Sequence, residues 1–403
     1  MQNTDILISG GGIAGPALAH WLRRHGFRVT VVERATTPRT GGQAVDLRGA
    51  GRTVVARMGL ADRIRDLTLD QRGIAWVDAG GRVTARMPVE AFGGEGIVSE
   101  FEILRGDLAA VLAGAATDVE HLHGDTVTAL DEDADGVVVT FEHAPRRRFG
   151  LVVGADGLHS AVRTLAFGPG GIRPLGCRTA WFTAPAAPDL DGWYLTHHAP
   201  GGLVASLRPG RLPHETKAGL SFRTDTHPRT VTDRRYPAEW VDEFASRFAG
   251  VGWRAGWLVE AMRHAPDLAV DAVSQVHLPR WSRGRVVLLG DAGYCPTPLT
   301  GLGTSLALVG AYVLAGELGA AGGDHRVAFD RYEQVLRPYV AQAQTLPPGG
   351  VGGYAPRGRF AIRGQATLMR AMTRWPIRPL LERQFAKADA IELPDYSEPA
   401  VRA

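Results

Sequence analysis

The chain has 403 residues, 45% of them hydrophobic and 22% charged, with a formal net charge of +3; this is the balance of a globular protein of roughly two or three domains. The charge excess is too small and too scattered for a nucleic-acid binder, and the densest cluster, Arg146-Arg147-Arg148, reads as a solvated hairpin edge. Cys177 and Cys295 offer no metal spacing or disulfide framework, no basic leader precedes the first strand, and no stretch approaches ~18 uninterrupted apolar residues, so a cytoplasmic chain without an integral membrane segment is expected.

In chain order, Asp5 to Ser9 is a short apolar strand, and Gly10 to Gly15 (GGGIAG) a Gly-rich turn. Ala14 to His25 has helical spacing, with Leu18, Trp21 and Leu22 on one side and Pro16 in the first turn, where its missing N–H does no harm. Gly26 is placed to end that helix in a left-handed conformation. Arg28 to Glu33 completes a strand–helix–strand unit of about 30 residues. A Gly-rich loop, Thr40 to Gly49, and a helix through Val54 to Arg57 and Leu60 follow. A hairpin turns at Ala79-Gly80-Gly81. Glu102 to Ala116 reads as a helix, Thr126 to Leu130 with Val137 to Phe141 as a hairpin, and Leu151 to Gly154 as a buried strand running into Ala155-Asp156-Gly157.

From about Gly170 to Pro279 the texture changes to strands rich in aromatics: Thr179 to Thr183, Trp193 to Thr196, Leu203 to Leu207 and Ala218 to Phe222. One amphipathic helix, Pro237 to Phe248, interrupts them. Arg285 to Leu289 returns to a buried parallel-strand pattern, Gly301 to Leu318 is a helix opened by glycines, and two or three helices close the chain.

Three segments carry chemistry. In the first, Gly10, Gly12 and Gly15 allow a tight turn and close approach of a pyrophosphate to a helix N-terminus, and Glu33 at the end of the next strand can accept from ribose hydroxyls. This describes a dinucleotide site without separating FAD from NAD. The second, LVVGADGLHSAVR from Leu151 to Arg163, delivers Asp156 at a turn that Gly157 permits. The third, Arg285 to Leu318, places Asp291 at a strand end and starts a helix with the backbone N–H groups of Gly301 to Thr304, which can stabilise negative charge.

In this order and at these separations the three segments resemble the single-component FAD-dependent aromatic hydroxylases, the para-hydroxybenzoate hydroxylase-like family. Within it the pattern looks most like the tetracycline-inactivating and antibiotic-tailoring monooxygenases. The resemblance runs from Asp5 to about Val340. It implies an α/β fold: a Rossmann-like FAD-binding domain (1–169 and 280–345), an inserted mixed β-sheet substrate domain (170–279) and a C-terminal helical segment (346–403). It implies that Gly10, Gly12, Ala14 and Gly15 hold the FAD pyrophosphate, Glu33 the ribose, and Arg34 the adenine. Arg105 matches a flavin-contacting arginine, and Asp156 with Gly157 a motif linked to FAD and nicotinamide. Asp291 matches the ribityl ligand, and Pro298, Gly301, Leu302 and Gly303 the segment beside the isoalloxazine. Asp46, in QAVDLRG, aligns approximately with a flavin-proximal acid. The chain departs from the family at Gly293-Tyr294, where Ala-His is usual, at Leu302, where Gln is usual, and at Val309-Gly310, where an acid is common.

The resemblance also implies the reaction. NADPH or NADH reduces non-covalently bound FAD, O2 adds to give a C4a-hydroperoxide, and an electron-rich carbon of an aromatic or polycyclic natural product or antibiotic takes the distal oxygen. Water exclusion is then essential. No catalytic side chain is named by the sequence. Trp181 and Trp193, with Phe182 and Tyr194, are candidates for an apolar substrate pocket, His197 or its neighbour His198 for a substrate contact, and Arg208 for an anionic or enolate substrate; core packing explains the aromatics at least as well, one buried and one solvated residue explains the histidine pair better, and a surface position is the safer reading of Arg208. A halogenase on this fold would need a catalytic lysine and a Trp-x-Trp-x-Ile-Pro segment; the chain lacks the segment, and its lysines are Lys217 and Lys387. A flavin dehydrogenase or reductase, a Baeyer–Villiger oxygenase and a ligand-sequestering flavoprotein share the scaffold. A monomer or homodimer is expected.

Overall fold

The computed structural model describes residues 1–37, 42–225, 238–371, 382 and 386–396. Its first layer is a six-stranded sheet in the order Ser282–Arg283, Val286–Leu288, Leu151–Gly154, Asp5–Ser9, Arg28–Glu33, Glu120–His123. All pairs are parallel except the Ser282–Arg283 edge. Both faces are covered, so the strands are apolar without alternation. Ile6, Ile8, Val29 and Val153 pack to one side, and Leu7, Val32 and Val152 to the other. The first side is covered by the helices Ala14–Arg24, Gly303–Ala320 and His325–Ala343. The second carries a three-stranded sheet and the helix Ala161–Phe167.

The helix Ala14–Arg24 buries Leu18, Trp21 and Leu22, and Gly26 follows it at φ +83°. The helix Gly303–Ala320 is long and apolar enough to cross a membrane by length and composition. Here every residue from Thr304 to Leu318 is buried in protein, which is why it shows no polar stripe.

The second layer is a seven-stranded sheet in the order Ala269–Val276, Ile172–Pro185, Glu215–Arg223, Leu203–Pro209, Trp193–Ala199, Gly73–Val77, Val83–Pro88. The aromatic-rich stretch supplies five strands. The other two come from the earlier hairpin at Ala79-Gly80-Gly81, joined by parallel pairing of Trp193–His197 with Gly73–Val77. One face buries Ala180, Phe182, Ala205, Leu207, Leu220 and Phe222 under the helices Ala238–Phe248 and Ala255–His264. The second of these helices was not anticipated, and Pro237, expected to open the first, lies outside the described residues, as does Thr40 in the Gly-rich loop.

One expected element is divided. Glu102–Leu104 is a strand paired with Ala44–Asp46, and the helix begins only at Arg105 and runs to Ala115. The reason is tertiary: the Glu102 carboxylate is taken up by Gln71 and Arg208 across the molecule, which fixes this segment extended.

Candidate cofactor and substrate site

The Gly-rich turn is shaped by close approach. Gly10 has φ +115°, and a Cβ there would overlap the carbonyl of Ala155. A Cβ on Gly15 would overlap the carbonyl oxygen of Gly10. Gly12, by contrast, faces the Arg105 guanidinium at 3.8 Å, so its missing side chain keeps a space open. Glu33 accepts from the N–H groups of Gly11 and Ala35, both at 2.8 Å. Two backbone bonds fix the carboxylate and leave lone pairs for a ligand. Arg34 is exposed beside it.

Asp156 has a structural task as well. Its carboxylate accepts from Ala161 N at 2.8 Å and Val162 N at 3.2 Å, and from the Ser160 hydroxyl, so it serves the start of the helix Ala161–Phe167. Burial pushes its carboxyl up, against the pull of those donors. Gly157 follows at φ +81° with open space where a side chain would stand. Arg163, not singled out in the sequence, is buried and donates to Ala292 O at 2.9 Å, tying this segment to the third one.

Asp291 stands at the end of the strand Val286–Leu288. Protein surrounds it closely enough to raise its carboxyl, with Arg105 opposing, yet its side chain is exposed. A group that is both enclosed and accessible lines a cleft. Pro298 is exposed on the same loop, and Gly303 sits 3.8 Å from the Asp291 carboxylate, measured from an ideal Cβ. Between them Thr297 is buried at φ +87° with its hydroxyl unpartnered, a strained conformation of the kind kept at ligand sites. Leu302 is buried at the N-cap of the helix Gly303–Ala320 and contributes backbone rather than a polar side chain.

Asp46 lies against this turn. Its Oδ2 is 3.1 Å from the Gly301 Cβ position and 3.2 Å from Arg48, and its buried Oδ1 has no partner. The loop is clamped to the long helix: Ser305 donates to Arg48 O at 2.9 Å, and Gly51 packs on the Ser305 side chain. Arg48, Glu95 and Glu102 were missed in the sequence, because nothing local distinguishes them from ordinary surface charges.

The seven-stranded sheet turns its other face to this cleft. Strand alternation sorts the candidates there. Register places Thr196, Ser206, Gly219 and Trp181 in one row across four strands, with Trp76 beside Thr196. Arg208, Lys217 and Thr183 form the next row on one side, with Tyr194 under the Arg208 guanidinium, and His198, Val204, Ser221 and Thr179 the next on the other. Trp181 lies over Gly219, 2.6 Å from an ideal Cβ there. Arg208 is buried, bonded to Glu102 and to Gln71, and lies over the Tyr194 ring. Its charge is matched within the protein, so it ties the sheet to the cofactor side rather than waiting for an anion. Trp193 and His197 point the opposite way. Trp193 stacks under Arg72 and Arg86, and His197 packs on Trp253 with Nδ1 bonded to Val77 O at 3.0 Å. Phe182 is likewise core on that side.

Two departures from the family pattern prove to be one packing solution. Tyr294 is fully buried, bonded to the Tyr332 hydroxyl at 2.9 Å, and its own hydroxyl occupies the space where a Gly310 side chain would stand. The tyrosine requires the glycine. Neither faces the cleft.

A Gly-rich turn at a helix start, a fixed acid at the next strand end and a second Gly-rich helix start facing the same cleft define a dinucleotide-binding α/β protein with a separate sheet closing the site. The FAD binding domain family matches residues 3–345. Rv1260, an uncharacterized protein of Mycobacterium tuberculosis, is 43% identical over 87% of this chain and 94% of its own. A flavin-dependent monooxygenase from an unknown prokaryotic organism is 38% identical over 85% of this chain and 88% of its own. The crystal structure of tetracycline destructase Tet(55) superposes with a TM-score of 0.82 at 33% identity, over 98% of this chain and 100% of that one. The chain belongs to the FAD binding domain family, as an FAD-dependent monooxygenase.

Proposed function

We propose that the protein inserts one oxygen atom of O2 into an aromatic or polycyclic small molecule, with NADPH or NADH as reductant. FAD fits the cleft observed: Gly10, Gly12, Ala14 and Gly15 cradle the pyrophosphate at the helix start, Glu33 and Arg34 take the adenosine end, Asp291 the ribityl chain, and Arg105 lies between. Asp46, Pro298 and the Gly301–Gly303 turn would border the ring, and the helix N-terminus behind that turn would favour negative charge there. Asp156 and Gly157 shape the turn beside it. When bound, the flavin supplies the redox chemistry and the activation of oxygen.

The protein's own part is to position and to exclude water. The observation that carries the substrate class is the row Trp76, Thr196, Ser206, Gly219 and Trp181: small side chains between two indoles on one face of the sheet, a floor once the cleft opens over it. A planar ring system is the shape that fills such a floor. The relative named a flavin-dependent monooxygenase and the tetracycline destructase structure support the reading without choosing the substrate.

The test is a spectrum of the purified protein, then NADPH addition in air with planar phenols. Flavin bands, faster NADPH consumption with substrate, and a product one oxygen heavier are expected. Flavin that bleaches with NADPH and yields no oxygenated product would overturn the monooxygenation of such substrates. Gly219→Val provides a second check. Its side chain must displace Trp181 and Ser206 Oγ, which lie 2.6 and 2.7 Å from the Cβ position. FAD should be retained and KM for a planar substrate should rise by about ten-fold or more, the cost of overfilling a packed surface by about 1–3 kcal/mol. An unchanged KM would remove the substrate from this floor.

A further inference from the structure

We propose that His198 selects the substrate by a hydroxyl group: its Nε2 accepts a hydrogen bond from a phenolic or enolic O–H on a planar, multi-ring compound lying on the cleft face of the sheet. The proposal rests on the reading of that face given above.

His198 follows Tyr194 and Thr196 at two-residue intervals on the strand Trp193–Ala199, so all three side chains share the cleft face. The helix Arg359–Ala371 packs against this strand and against Val83–Pro88. From it, Gln365 reaches His198: Gln365 Oε1 is 2.8 Å from Nδ1. The orientation of that amide is decided independently, because Gln365 Nε2 donates to Gly353 O at 2.9 Å. A carbonyl oxygen cannot donate, so Gln365 must present Oε1 to the ring. Oε1 in turn only accepts, so His198 must carry its proton on Nδ1. The lone pair is thereby fixed on Nε2.

Nε2 has no hydrogen-bond partner among the described residues and is reached by solvent. The ring as a whole is nevertheless closely surrounded by protein, and burial pushes it down to about 4. At neutral pH it is therefore an uncharged imidazole offering a single acceptor. Such a group does not take a proton outright from a phenol; it holds and orients the O–H. His198 is thus a positioning and specificity residue rather than a catalytic base.

The geometry also sets the size of the ligand. His198 lies four residues along its strand from Tyr194, over whose ring Arg208 lies. Four strand steps span about 13 Å. The floor row, at Thr196, is two steps from His198, about 7 Å, and a compound that also reaches the Tyr194 ring must be longer than a single aromatic ring, with its hydroxyl at the end remote from Arg208.

The test uses the FAD-loaded protein and two probes, 2-hydroxyanthraquinone and 2-methoxyanthraquinone, with Kd read from quenching of tryptophan fluorescence. The hydroxyl compound should bind about ten-fold more tightly, the amount one satisfied hydrogen bond supplies. In His198→Phe the ratio should fall to about one. In His198→Gln, which keeps an acceptor, a preference of several-fold should return. Gln365→Met leaves His198 in place but frees its tautomer, so the ratio should shrink there too, with FAD content unchanged; this variant decides the matter should His198→Phe fail to fold. Equal binding of both probes by the wild-type protein, or an undiminished ratio in the variants, overturns the role of His198 and leaves the aromatic floor standing. Binding of neither probe overturns both.

Discussion

Replacing Gly15 with valine is expected to yield a protein that no longer retains FAD. The Cβ of any residue at this position would overlap the carbonyl oxygen of Gly10 and press on the Ile8 side chain, at 3.3 Å. Both neighbours are main-chain or core, so relief requires the turn itself to open. That turn carries the N–H groups at the start of the helix Ala14–Arg24, and an anion held there depends on their alignment. FAD affinity should drop by about a hundred-fold or more, equivalent to roughly 3 kcal/mol. The ratio of flavin to protein absorbance after purification, and titration with added FAD, measure it. Gly157→Ala is the matched control. It also sits at positive φ, but with nothing near its Cβ, so it should cost only about 1–2 kcal/mol of folding stability and keep the flavin. Full FAD occupancy in Gly15→Val would mean that the cofactor does not lie on this turn.

The second large effect belongs to Glu102 and Arg208. Both are buried, bonded to one another, and Gln71 bonds to each. Burial raises the Glu102 carboxyl while the guanidinium pulls it back, so the pair is a balance of desolvation against attraction. Glu102→Leu leaves a cation buried without its partner and should destabilise by about 3–5 kcal/mol. Glu102→Leu combined with Arg208→Met should recover most of that loss, because two apolar side chains replace the ion pair at similar volume. Urea unfolding of the single and double variants reads the difference. If the double variant is no more stable than the single, the pair is held for something other than mutual neutralisation, and a direct substrate contact by Arg208 returns to consideration.

How the candidate site was legible depends on which residues are considered. Gly10, Gly12, Gly15, Glu33 and Asp291 stand beside the strands that position them, so a local pattern was enough to find them. Glu102, Gln71 and Arg48 are brought to the cleft by strands and loops far apart in the chain, and no spacing links them. Asp156 shows the converse. Its motif was plain, but only the structure shows that its carboxylate accepts three hydrogen bonds at the start of the helix Ala161–Phe167.

The tandem His197-His198 marks where the two levels part. A sequence shows that one of two consecutive strand residues faces each side, since successive side chains alternate. It does not show which face is covered by helices and which by the cofactor unit. Here Ala238–Phe248 and Ala255–His264 took the face of His197 and Trp193, leaving Tyr194 and His198 to the cleft. Tyr294 and Gly310 teach the same lesson across 16 residues: each looked like an independent departure, and they are one contact. What the sequence by itself determined was the dinucleotide-binding unit and the order of its three motifs, because these rest on backbone conformations that glycines and strand ends specify locally; FAD rather than NAD came from the family those motifs resemble. The tertiary structure alone decided that the substrate sheet recruits Gly73–Val77 and Val83–Pro88, which face it offers, and which charges meet in its interior, because those follow from burial and pairing between segments that share no local signal.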